Sequence, residues 1–128
     1  MSYSFNKRIN AAFDEAVEKV IKVLKAEGFG VLTDIDVKAT LKKKLDVDYK
    51  NYRILGACNP SFAYKALLAE DKIGTMLPCN VIVQEIDEGN VEVSAVDPIA
   101  SMQAIENTEL GGIAKQVQEK LKSVIDSL

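Results

Sequence analysis

Cys79-Asn80-Val81-Ile82-Val83-Gln84-Glu85-Ile86-Asp87-Glu88-Gly89-Asn90-Val91-Glu92-Val93-Ser94-Ala95-Val96 is the stretch on which the fold turns. It reads as two strands, Cys79 to Asp87 and Val91 to Val96, rich in β-branched residues. Between them, Asp87-Glu88-Gly89-Asn90 supplies the glycine of a short hairpin loop. A hairpin makes its two strands antiparallel neighbours. Strands of a doubly wound parallel sheet are covered on both faces and read as near-continuous apolar runs. These two strands do not read that way, and neither does the first strand of the chain.

Working upstream, Tyr52 to Cys58 is a strand that runs into Asn59-Pro60, an N-cap followed by proline at the first helical position. The helix from Pro60 to Glu70 carries Phe62, Ala63, Ala66 and Leu67, and Gly74 and Pro78 break the chain after it. Phe29 to Asp36 begins apolar and ends alternating, as a half-buried strand does. Val37, Leu41 and Leu45 then mark one face of a short helix with Asp36 as its cap. Before these, Phe13, Ala16, Val17, Val20, Ile21 and Leu24 recur at helical spacing. Asn10 is the expected cap of that helix, and Gly28 the glycine beyond its end. Residues 3–9, with Tyr3, Phe5, Lys7 and Ile9 on one side, read as an edge strand.

Downstream, Asp97-Pro98 ends the last strand and a turn or short helical piece covers residues 98–106. A closing helix follows, with Ile113, Val117, Leu121, Val124, Ile125 and Leu128 as its apolar set. The expected class is α+β: a curved antiparallel sheet in strand–helix–four strands–helix order. Two long helices pack on one face, with short helical excursions between strands.

The 128 residues, 48% hydrophobic and 27% charged, suit one domain spanning 1–128, with no internal repeat or linker. No apolar run reaches the roughly 18–20 residues of a membrane span. Met1-Ser2-Tyr3-Ser4-Phe5-Asn6-Lys7-Arg8 lacks the apolar stretch of a signal peptide, so the expected location is the cytoplasm. A net charge of −3 weighs against nucleic acid or an anionic membrane as partner. The chain has no histidine, which excludes Ser-His-Asp and Cys-His catalysis within it and His-ligated metal sites.

Chemistry is expected where three segments meet. If the strands pair antiparallel, Cys58/Asn59, Cys79/Asn80 and Asp97/Pro98 come to the same edge of the sheet. Cys58 directly precedes a helix cap, where unpaired N–H groups favour a thiolate. A second thiol nearby offers disulfide formation or two soft metal ligands. Two cysteines cannot close a structural zinc site within one chain, and their spacing is not Cys-x-x-Cys. The competing account is that both thiols pack as small apolar side chains. Gly56 and Ala57 are small and would keep backbone accessible at that edge.

Other features have plainer explanations. Lys38, Lys42, Lys43, Lys44, Lys50 and Arg53 could hold an anion but read first as a solvated face. Gly111-Gly112 fits close helix–sheet packing better than an anion cradle. Asp34 and Asp36 share a strand face, with Asp36 better placed as a cap. Tyr52 and Tyr64 read as aromatic core.

With these residues set out, the chain resembles domain-of-unknown-function family 302 over nearly its whole length. The resemblance is carried by Gly28-Phe29-Gly30-Val31-Leu32, Asp34-Ile35-Asp36-Val37-Lys38-Ala39-Thr40-Leu41 and Ile54-Leu55-Gly56-Ala57-Cys58-Asn59-Pro60. It continues through Ile73-Gly74, Leu77-Pro78-Cys79-Asn80-Val81-Ile82-Val83 and Val96-Asp97-Pro98. It implies a TATA-binding-protein-like α+β fold and a tendency to homodimerise. It brings no activity, cofactor or catalytic residue, and a shared fold carries no DNA-binding inference.

The expected function is a homodimeric small-ligand-binding module using Cys58, Asn59, Cys79, Asn80 and Asp97. The alternatives are a thiol-dependent redox or soft-metal protein built on Cys58 and Cys79, and a purely structural assembly domain.

Overall fold

The computed structural model describes residues 2–128, and the hairpin forms as the sequence implies. Its two strands are β4 (Cys79–Asp87) and β5 (Asn90–Val96), with Gly89 at φ 83° in the turn, a conformation that strains other residues. Ahead of them come β1 (Ser4–Asn10), α1 (Phe13–Ala26), β2 (Gly30–Asp36), α2 (Val37–Leu45), β3 (Tyr52–Cys58) and α3 (Pro60–Ala69). A 3-10 turn (Asp71–Met76) leads from α3 to β4, and α4 (Pro98–Ser101) and α5 (Thr108–Asp126) follow β5. The sheet order is β1-β5-β4-β3-β2, antiparallel throughout and open at both edges. The α+β class therefore holds.

Period-two alternation turns Leu55, Ala57, Val81, Val83, Val91, Val93 and Ala95 to one side, where α1 and α5 cover them. α1 contributes Phe13, Ala16, Val17, Val20 and Leu24, and α5 contributes Val117, Leu121, Val124 and Ile125. Each large aliphatic side chain buried there contributes roughly 1.5–3 kcal/mol, which is what holds the helices to the sheet. A smaller cluster of Ala66, Ile73 and Leu110 joins α3, the 3-10 turn and the start of α5. Asn107 pins it: its Oδ1 accepts from the Leu110 N–H at 3.2 Å, and its Nδ2 donates to the Ala69 carbonyl at 2.8 Å.

Several local expectations change. Asn10 does not cap α1. It stays in β1 opposite Asn90, Ala11 N–H donates to the Gly89 carbonyl, and the helix starts after Ala12 without a side-chain cap. Asp36 does cap α2, accepting from the Ala39 N–H at 2.9 Å. The helix it starts buries no residue. β2 itself is mostly exposed, and a bulge between Val31 and Thr33 leaves Leu32 out of register. Gly56 is not an open stretch of backbone: a Cβ there would meet Thr33 Oγ1 and lie 2.7 Å from Pro78 Cγ. Gly111 and Gly112 are not at a close contact, since a Cβ at either would meet nothing within 4 Å.

These glycines should respond oppositely to alanine. Gly111→Ala adds helix propensity in open space and is expected to raise stability by roughly 0.5–1 kcal/mol. Gly56→Ala overpacks the β3–Pro78 contact and is expected to lower it by roughly 1–3 kcal/mol. Urea unfolding of the two variants beside the wild type reads both; a neutral Gly56→Ala would refute the packing described.

Candidate functional site

The register that builds the sheet also gathers its site. Ala57 pairs with Cys79 and Gly56 with Asn80, while Val81 pairs with Ala95. The end of β3, the start of β4 and the end of β5 therefore share one end of the sheet. Beneath that end lies an apolar cavity of about 40 Å³ between the sheet, α3 and α5. Cys58, Asn59, Cys79 and Pro98 line it together with Phe29, Phe62, Met102, Ile113 and Val117.

Alternation divides the expected set. Cys79 is buried toward the helices, whereas its neighbour Asn80 is exposed and lies along a groove on the opposite sheet face, beside Tyr52, Ile82 and Ser94. Asp97 lies beside the cavity as an anchor. Its Oδ1 accepts from the Ile99 N–H and from Gln118 Nε2, both at 3.0 Å, tying the start of α4 to α5 and so setting Pro98 in the cavity wall. Asn59 holds the N-cap position of α3 with Pro60 at the first turn, yet its side chain makes no cap bond. Its amide instead lies against Gly28, where a Cβ would sit 3.0 Å from Asn59 Nδ2 and where φ is 87°. Gly28 thus ends α1 and leaves room for the cavity rim.

The thiols differ. Cys58 is half-buried and Cys79 is buried, and neither is in a disulfide. Burial, with a smaller push from Cys58, raises the Cys79 thiol to about 11. At neutral pH it is a protonated, apolar-facing group, a weak nucleophile and a weak metal ligand. Among the described residues, no cluster of three or more Cys, Asp or Glu side chains is placed to hold a metal ion.

The remaining candidates are engaged elsewhere. Asp34 receives a forked bond from the Arg53 guanidinium, Nε to Oδ1 at 2.7 Å, and this holds its carboxyl below the usual range. Lys42 pairs with Asp46 and Asp48, and Lys50 donates to Gln84. Tyr64 is exposed, and Tyr52 packs on Tyr49 with ring centroids 6.2 Å apart, so neither is in the core. The apolar lining drew no attention in the sequence because Phe62, Ile113 and Val117 sit in ordinary helical stripes.

The fold and pocket define an α+β domain with an open five-stranded antiparallel sheet and an apolar pocket at the sheet's end. The family pattern described as "Domain of unknown function DUF302" matches residues 5–128, and the chain belongs to that family. It is similar to a solved structure described as "uncharacterized conserved protein DUF302 from Bacillus stearothermophilus". The two share 26% identity and a TM-score of 0.90, with 98% of each chain covered. No curated protein matches. Among the described residues, no helix is long and apolar enough to cross a membrane.

The state of Cys79 makes stability pH-dependent. Its thiol ionises near 9 when unfolded and near 11 when folded, so the unfolded chain loses its proton first. Stability is then intact below pH 9 and falls as pH rises from 9 to 11, by at most about 2–3 kcal/mol. Cys79→Ala is expected to flatten that part of the profile, measured by urea unfolding between pH 7 and 11. An unchanged slope in the variant would contradict a buried protonated thiol.

Proposed function

We propose that the protein is a cytoplasmic, homodimeric small-ligand-binding module whose site is the apolar cavity at the end of the sheet. The observation that carries this is the cavity itself, apolar-lined and ringed by Cys58, Asn59 and Cys79. A ligand's apolar group placed there leaves water for an apolar lining, which favours binding by roughly 25 cal/mol per Å² of apolar surface buried. The cavity's size admits the end of a short aliphatic chain, not a whole drug-sized molecule. Asn59, whose carboxamide makes no cap bond, supplies a donor and an acceptor at the rim for a polar head group. Phe62 and Met102 line the same space, and methionine adapts readily to an irregular guest.

The homodimer reading draws support from large apolar side chains left exposed, Leu32, Leu45, Tyr64 and Leu68 among them at 65–70%. Two free cysteines suit a reducing compartment. The thiol-dependent alternative loses weight, because the high Cys79 pKa leaves Cys58 without a readily ionised partner.

Native mass spectrometry of gently purified protein, set beside the denatured mass, tests the ligand directly. The expected result is added mass that leaves on denaturation. A second test fills the space from Ala63, which lines it on α3: Ala63→Leu is expected to abolish the added mass and to prevent the thermal stabilisation of the wild type by a series of straight-chain alcohols. A bare wild-type chain that no alcohol stabilises would end the ligand-binding reading.

A further inference from the structure

The sheet face opposite the cavity carries a groove of about 440 Å³, and the pairing register sets what stands in it. Tyr52, Gln84 and Glu92 form one row across three strands, and Ile54, Ile82 and Ser94 form the next. Asn80 lies beyond Ile82 on β4, and Tyr3 borders the groove just ahead of β1. Ser94 is the informative residue. It is 7% exposed, and among the described residues its hydroxyl has no hydrogen-bond partner. Among these residues no side-chain oxygen closed off from solvent is left unpaired, so that hydroxyl must open into the groove it lines. The exposed Asn80 carboxamide is likewise free of partners among the described residues. Gln84 Oε1 accepts from Lys50 Nζ at 2.7 Å, which leaves the Gln84 amide N–H groups to donate. Burial raises the Tyr52 phenol above its usual range, with smaller pushes from Tyr49 and Tyr3, so it stays a protonated donor at neutral pH.

We propose that this groove is a second ligand site, independent of the cavity, and that it takes a neutral saccharide. Ionic ligands fit poorly. Glu92 is bonded to Arg8 at 3.3 Å and Lys50 to Gln84, so an anion would meet a carboxylate and a cation would have to displace Arg8. A wholly apolar ligand would strip water from the Ser94 hydroxyl and the Asn80 carboxamide and return no hydrogen bond. The lining is matched by a molecule with hydroxyls for these groups and C–H surface for Ile82 and the tyrosine rings. A pyranose has both, C–H groups on its faces and hydroxyls around its edge. Asn80 and Gln84 stand four residues apart on β4 with Ile82 between them, about 13 Å along the strand. That span suits two linked rings better than one, and the groove's volume lies in the range of small-molecule sites.

Amide NMR spectra of the full chain, titrated with maltose, cellobiose, lactose and sucrose, test it, with adenosine and cytidine as flat uncharged comparisons. At least one disaccharide is expected to give saturable shifts at β3, β4 and β5 amides around the groove. Asn80→Ala and Ser94→Ala are each expected to raise its dissociation constant about fivefold or more, the loss of one hydrogen bond. Both substitutions only remove atoms, and the same spectra show whether the fold is kept. Tyr64→Ala, on α3, is expected to bind as the wild type. Folded Ala63→Leu, with the cavity filled, is expected to keep the sugar response, so failure of the cavity reading and failure of this site are separate results. Absence of shifts with every disaccharide overturns the site, as do shifts unchanged in both Asn80→Ala and Ser94→Ala or lost in folded Ala63→Leu. Shifts with the nucleosides alone overturn the saccharide assignment.

Discussion

The alternation of β4 is the constraint on which the rest of the molecule depends. The strand lies mid-sheet, between β3 and β5, so each of its side chains must belong to one of two faces. Val81 and Val83 go to the helices, and that choice sends Cys79 with them. Asn80, Ile82 and Gln84 are thereby committed to the open face. A slip of one residue would put Asn80 under α5 and three apolar side chains into water. The cost of that exchange, several kcal/mol of lost burial plus an unpaired buried amide, specifies the register.

The cavity follows from the same geometry. Between Cys58 and Cys79 the chain leaves the sheet, makes α3 and the 3-10 turn, and returns. This excursion has its own small core of Ala66, Ile73 and Leu110, distinct from the main one under α1 and α5. Ile113 packs against both clusters. Where two separately packed clusters abut, neither fully fills the join, and the cavity lies at that join. Asp97 and Asn107 stand on either side of α4 and tie the adjoining segments to α5 by hydrogen bonds, not by packing. The space is therefore framed by directional contacts that a rearrangement of apolar side chains can leave in place.

Much of this was legible in the sequence. The hairpin, the sequence of elements along the chain, the two amphipathic helices and the meeting of the Cys58, Cys79 and Asp97 segments all follow from periodicity and turn residues, whereas the order of strands within the sheet does not. What was not legible has physical reasons. The start of α1 was misplaced because β1 keeps its pairing through Asn10, and a ladder bond across strands cannot be read from local capping preference. The burial of β2 and α2 was overestimated because an apolar pattern shows which side of an element is greasy, not whether anything lies against it. Gly56 and Gly111 look alike in one dimension; only the neighbours, Pro78 and Thr33 in one case and open space in the other, give them opposite roles.

The division of the cysteine–asparagine pairs is the sharpest such case. Cys58-Asn59 and Cys79-Asn80 are the same two residues at the same end of the sheet, yet they do different things. The first pair crosses from strand to helix, so alternation lapses and both residues reach the cavity rim. The second pair opens a strand, so alternation holds, Cys79 is buried and Asn80 faces the other way. Proximity of segments is thus readable from topology, whereas convergence of side chains depends on the local backbone each segment adopts. Under that rule the helix-side cavity and the open sheet face are separate surfaces joined by one strand.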